Sequence, residues 1–189
     1  MSNQNQQAGY SYIDVMIAVT ILLVGIMAML AAITRGVQMT TRGQDQLAAK
    51  QYALSTVEAI FSARDLDSLG FESIGNVGDS TIPSGVFLTG DRQFYTTAGP
   101  DGIVGTADDS AGPDGVVGNT DDTPPVDGYL RNIVITNIPD PDRPTPPAPI
   151  TLRQIDVTII YMIGNTQQRE TVTTYAANYR TNTNDTGGS

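Results

Sequence analysis

Between Val15 and Thr34 the chain reads VMIAVTILLVGIMAMLAAIT, twenty residues without a charge. At 1.5 Å rise per residue a helix of that length spans roughly 30 Å, the thickness of bilayer hydrocarbon. Its one glycine, Gly25, is tolerated in a membrane helix. A cleaved secretory signal is the competing reading, and it needs a basic leader, an apolar run of about 7–15 residues and a small-residue cleavage site beyond. Here the leader MSNQNQQAG carries no basic residue. The run is too long, and Ala31-Ala32-Ile33-Thr34-Arg35 leads directly into more helix-forming sequence. A retained membrane helix fits better, with the rest of the 189 residues available for one globular domain.

Composition narrows the function classes. Twenty acidic side chains against ten basic ones give a net charge of −10, the wrong sign for a nucleic-acid phosphate surface. No nucleic-acid contact is therefore expected. Cys, His and Trp are absent, which removes disulfides, thiolate nucleophiles, soft-metal ligands and the usual neutral-pH general base. A hydrolase built on the pairs Asp108-Asp109 and Asp121-Asp122 is disfavoured, because nothing nearby in sequence would shift a pKa or place a substrate. The chain is expected not to be an enzyme.

Asp14 stands at the mouth of the apolar run, where an uncompensated charge in hydrocarbon is costly. Two readings stand. Asp14 sits at the headgroups, favoured by the positive end of the helix dipole, or it meets a positive charge from a neighbouring chain.

The stretch Gly9-Tyr10-Ser11-Tyr12-Ile13-Asp14, followed by Val15–Leu22, resembles the prepilin processing site of type IV pilins and type II secretion pseudopilins. The resemblance implies a leader of residues 1–9, removed by a prepilin peptidase between Gly9 and Tyr10, and N-methylation of Tyr10. It also implies that the carboxylate at the fifth place of the processed chain, here Asp14, pairs with the N-terminal amine of an adjacent subunit. Asp replaces the family's usual Glu, which shortens the reach by one methylene, and the leader lacks the usual basic residues. The implied partners are other pilin subunits, membrane lipid before assembly and an inner-membrane assembly platform. The implied place is the bacterial inner membrane, single-pass, with the head outside the cytoplasm, then a filament in the periplasm or at the cell surface. The absence of Pro from the membrane helix and a terminal hairpin at Leu152–Tyr179 lean toward an accessory pilin of the modification-protein type. A membrane-tethered Ca²⁺-binding or adhesion module that never polymerises is the alternative.

The expected fold is α+β, a long N-terminal helix packed on a C-terminal antiparallel sheet. Residues 10–34 form the membrane and assembly half of the helix, and residues 35–64 an amphipathic continuation. Leu47, Leu54, Val57 and Phe61 recur at helical spacing, thickened by Ala48, Ala49, Ala53, Ala59 and Ala63, and Leu54, Val57 and Phe61 are expected in the core. The head, 65–180, reads as strands at Val86–Leu88, Gln93–Tyr95, Tyr129–Ile138 and Leu152–Ile163. The last of these turns at Gly164-Asn165 into Thr171–Tyr179. Residues 139–149 hold six prolines in eleven positions and read as an extended surface loop. Residues 181–189 read as a tail.

The head also carries an internal duplication within an acidic loop at 99–123. Gly99–Asp109 (GPDGIVGTADD) recurs thirteen residues later as Gly112–Asp122 (GPDGVVGNTDD). Seven Asp and no basic residue lie between 99 and 127. Tight Asp-Gly turns could bring each first Asp toward its closing pair, offering only oxygen ligands, which suits Ca²⁺. The expected ligand sets are Asp101, Asp108 and Asp109, and Asp114, Asp121 and Asp122, or one shared site. The spacing is not that of an EF-hand, but it resembles the calcium loop of the major type II pseudopilin. A solvated acidic loop that binds nothing tightly is the alternative.

Overall fold

The computed structural model describes residues 11–112, 114–139 and 150–178. The expected leader, the Gly9–Tyr10 processing site, most of the Pro-rich loop and the tail lie outside these residues. One helix, α1 (Tyr12–Asp65), is followed by a short 3₁₀ turn (Phe71–Ser73) and four strands. The strands are β1 (Arg92–Gln93), β2 (Tyr129–Pro139), β3 (Ile150–Ile163) and β4 (Thr166–Ala177). They form one antiparallel sheet in the order β1-β2-β3-β4. The layout is α+β, as the sequence pattern leads one to expect.

The chain divides into two compact units, Met1–Gln44 and Asp45–Ser189. In the first, every described residue is exposed, and the helix is long and apolar enough to cross a membrane. Exposure on all sides combined with this apolarity is the pattern of a membrane-spanning helix.

In the second unit the helix packs on the sheet, with a core face other than the expected one. Ala49, Ala53, Thr56, Ile60 and Ala63 are buried, at spacings of four, three, four and three, which is one helical stripe. Val57 and Phe61 flank this core, whereas Leu54 points outward, 44% exposed, and Leu47 is 58% exposed. The alanines explain the choice, since their small side chains let helix and sheet approach closely. Beside them Tyr52 packs at 4.9 Å from Phe94 and 5.1 Å from Tyr129, ring to ring. From the sheet, Ile133, Ile135, Ile155, Val157 and Ile159 close the core, each buried aliphatic contributing about 1.5–3 kcal/mol.

β3 and β4 form a two-residue hairpin, with Ile163 paired to Thr166. Gly164 takes φ +60, as the first position of a type II′ turn requires. The expected strand at Val86–Leu88 is instead a single parallel bridge between Asn76 and Phe87, and Gln93–Tyr95 contributes only Gln93, with Arg92, to β1. The backbone partners are taken elsewhere: Leu88 N–H donates to Gly105 O, and Phe94 O accepts from Val126 N–H. Beyond β1 the edge of β2 is satisfied by a side chain. Asn76, buried, donates Nδ2 to Ile133 O at 2.9 Å and accepts Ile135 N–H at 2.8 Å. It supplies the amide pair that a neighbouring strand would otherwise offer.

Asn76→Ala therefore leaves two buried backbone groups of β2 unpaired. It is expected to lower unfolding free energy by about 1–3 kcal/mol, read by denaturant titration, with the loss of protection on hydrogen exchange concentrated at Ile135.

Candidate functional site

Two regions carry the residues singled out from the sequence. The first is the start of α1. Ser11 O accepts the Asp14 N–H at 2.9 Å, and Asp14 Oδ2 accepts the Ser11 N–H at 3.2 Å. The carboxylate bond is one half of a capping box, with Asp14 three residues beyond Ser11; the other bond is made by the Ser11 carbonyl rather than its hydroxyl. Asp14 is exposed and also lies at the positive end of the helix dipole. Its carboxylate thus has a role within its own chain, while its exposed side remains open to a second donor. Gly9 and Tyr10 lie outside the described residues.

The second region is the acidic repeat, whose two copies fold alike. In the first, Asp101 Oδ1 accepts the Ile103 N–H at 2.8 Å and Asp108 Oδ2 accepts the Asp101 N–H at 3.1 Å. In the second, Asp114 Oδ1 accepts the Val116 N–H at 2.9 Å, and Asp114 Oδ2 accepts Asn119 Nδ2–H at 2.7 Å. The closing aspartates accept glycine N–H groups at matching places. Asp109 Oδ2 takes Gly105 at 2.8 Å and Asp122 Oδ2 takes Gly118 at 2.7 Å. Those two glycines have φ of +92 and +100, which side-chain-bearing residues rarely adopt. Gly99 and Gly112 are fixed by contact, because a Cβ at either would collide with the backbone carbonyl of Asp108 or Asp121.

The copies differ in their surroundings. Asp109 is buried and ion-paired to Arg131 of β2, each side chain 4% exposed. The Arg131 guanidinium also lies over the Phe94 ring at 5.6 Å. Burial pulls the Arg131 pKa below its ordinary value, and Asp109 opposes that shift. Ile103 and Val104 are buried with it. Asp114 and Asp121 are exposed.

This arrangement breaks up the expected cation sites. Asp101 and Asp108 are neighbours, but Asp109 turns inward, and its oxygens are engaged by Arg131 and by the Gly105 N–H. In the second copy Asp114 spends both oxygens on the Val116 N–H and the Asn119 amide, Asp121 is exposed, and Asp122 holds Gly118 through Oδ2 while its Oδ1 is shielded without a hydrogen-bond partner. Among the described residues no group of three or more carboxylates is placed to hold a metal ion. As arranged, the two trios do not fit Ca²⁺, and no role is derived through it.

Sequence reasoning passed over the two buried arginines. Arg153 donates to Ile74 O at 2.8 Å, to Phe71 O, and to Asn137 Oδ1 at 3.0 Å, fastening the 3₁₀ segment to β3. The signal was available, since Arg131 and Arg153 occupy inward positions of the two-residue alternation, in step with Ile133 and Ile155.

Comparison with protein-family models, with curated proteins and with solved structures yields no significant match.

Two tests follow. Removing one partner of the buried pair, by Arg131→Met or Asp109→Asn, should cost about 3–5 kcal/mol, and the double variant should cost less than the two single losses added. Denaturant unfolding of all three variants checks this. The second concerns Asp101 and Asp108, whose shifts oppose. Burial raises the Asp101 pKa, with Asp108 and Asp109 adding to it. Burial also raises Asp108, but hydrogen bonds from Thr106 and the Asp101 N–H outweigh it and hold Asp108 below its usual range. A raised carboxylate destabilises the fold when ionised, and that penalty disappears as pH falls through its folded pKa. Asp101→Asn should therefore raise the thermal midpoint at pH 7 without added cation, and lose the advantage below the carboxylate range. Chelator should leave the wild-type midpoint unchanged. A Ca²⁺-dependent rise that Asp101→Asn abolishes would reinstate the cation site.

Proposed function

We propose that this chain is a structural subunit of a type IV pilus-like or pseudopilus-like filament, processed after Gly9 and assembled through the N-terminal half of α1. The observation that carries the reading is the fully exposed apolar helix segment with a single carboxylate, Asp14, in its first turn. In a membrane that segment is solvated by lipid. In a filament the same surface is covered by the corresponding segments of other subunits, and Asp14 meets the new amine of a neighbour. The head, packed on the C-terminal part of the same helix, is then displayed outward. Asp14's capping bond to Ser11 favours the second reading, a tether that never polymerises, because it satisfies the carboxylate within its own chain.

Charge and capping are separable at this position. Asp14→Asn keeps an acceptor for the Ser11 N–H and removes the charge. If Asp14 pairs with a neighbouring amine, Asp14→Asn should abolish filaments as completely as Asp14→Ala, with membrane insertion intact, while Asp14→Glu assembles. Intact-mass measurement in cells with active prepilin peptidase should show loss of Met1–Gly9 and a methylated Tyr10. Normal filaments from Asp14→Asn, or an unprocessed chain, would replace this reading with the tether.

A further inference from the structure

The charge-free run of α1 ends at Thr34, and the next ten residues, 35–44 (RGVQMTTRGQ), carry two bases and no acid. Arg35, Gln38, Met39 and Arg42 stand at i, i+3, i+4 and i+7, which is one face of the helix. All four are exposed, Met39 at 78%. Neither arginine has an ion-pair partner among the described residues. Asp45, three residues past Arg42, is engaged elsewhere: burial and then the charge of Asp45 raise the Tyr129 pKa. The hydroxyls of Thr34, Thr40 and Thr41 are bound back to carbonyls of the preceding turn. The face therefore offers two guanidinium groups and the Gln38 amide as donors.

Depth decides what these donors meet. In a bilayer that takes Val15–Thr34 as its span, the ridge begins where the hydrocarbon ends. The headgroup layer beyond is about 5–8 Å deep, and the Arg42 Cα stands about 12 Å past Thr34. Side chains on a helix lean toward its N-terminus, so the long stem of Arg42 carries its guanidinium back to that layer. Arg35 starts within it. Met39, between them, adds apolar surface at the level where headgroups meet acyl chains. The rest of the chain has the opposite sign. From Asp45 onward the sequence holds nineteen acidic and eight basic residues, a balance that an anionic bilayer repels. An attraction to anionic lipid has to come from the ridge.

We propose that the ridge of Arg35, Gln38, Met39 and Arg42 binds the phosphates of anionic phospholipids in the leaflet at the C-terminal end of the span. Each guanidinium takes a phosphate in a charge-assisted, bidentate pair, and the Gln38 amide donates between them. The ridge thereby sets the depth of the helix in the bilayer, with Asp14 at the opposite end. The inference rests on the membrane-anchoring part of the proposed function, which the filament and the tether share.

The test reconstitutes the full-length chain into phosphatidylcholine vesicles that contain spin-labelled phosphatidylglycerol or spin-labelled phosphatidylcholine. The fraction of motionally restricted label gives the relative affinity for the two lipids. The wild type should prefer phosphatidylglycerol. Arg35→Gln and Arg42→Gln should each lower that preference about fivefold at low salt, and the double variant should have none. The double exchange to Lys, which keeps both charges, should retain part of it, and Arg92→Gln, on the head, should leave it unchanged. Raising salt from about 0.01 to 1 M, which shortens the Debye length from about 30 to 3 Å, should erode the wild-type preference. No preference in the wild type, or the same preference in the double Gln variant, overturns the ridge. Should the Gln variants fail to insert, a wild-type preference indifferent to salt overturns it instead. Loss of preference on adding inorganic phosphate, but not chloride of equal ionic strength, makes the ridge a free-anion site and overturns the lipid assignment. Flotation of the chain with the vesicles reports separately on anchoring. Flotation without lipid preference sinks the ridge alone, and a chain that does not float sinks the anchoring reading itself.

Discussion

The ion pair between Asp109 and Arg131 joins the acidic repeat to the sheet. Without it the first repeat would be a turn-rich surface loop, and β2 would carry an uncompensated guanidinium in the core. The pair is almost fully buried, so its value lies less in net stability than in what breaking it would leave behind. It also fixes position. Gly105 must come close enough for its N–H to reach Asp109 and its carbonyl to reach Leu88, and Ile103 and Val104 then fall against the core. One inward-facing arginine on a strand thus converts a polar, glycine-rich segment into part of the packed domain.

The helix is constrained differently along its length. Its C-terminal part must present a thin face to the sheet, which the stripe Ala49, Ala53, Thr56, Ile60 and Ala63 provides. That places the larger apolar residues, Leu47 and Leu54, outside. Along its N-terminal part every described residue is exposed, the apolar side chains included. Both conditions use one hydrogen-bonded element with no Pro between Tyr12 and Asp65. Asp67, in a left-handed conformation (φ 57), ends it, and the Ser68 and Leu69 N–H groups turn back onto Ala63 O.

Much of this was legible in the sequence where physical periods are strong. The uncharged run, the β2 and β3 alternations and the Gly164-Asn165 turn each point to the element found, because apolar burial and turn stereochemistry act locally. The helix stripe was misread because large residues were weighed over small ones, whereas close approach to a sheet favours alanine. The strands at Val86–Leu88 and Gln93–Tyr95 dissolved because their hydrogen bonds are claimed by Asn76, Gly105 and Val126, partners too distant in sequence to infer from pattern. The surroundings of Asp109 were illegible for a related reason. Spacing shows that Asp101, Asp108 and Asp109 can approach one another. It does not show that Asp109 will prefer a buried arginine over twenty residues away.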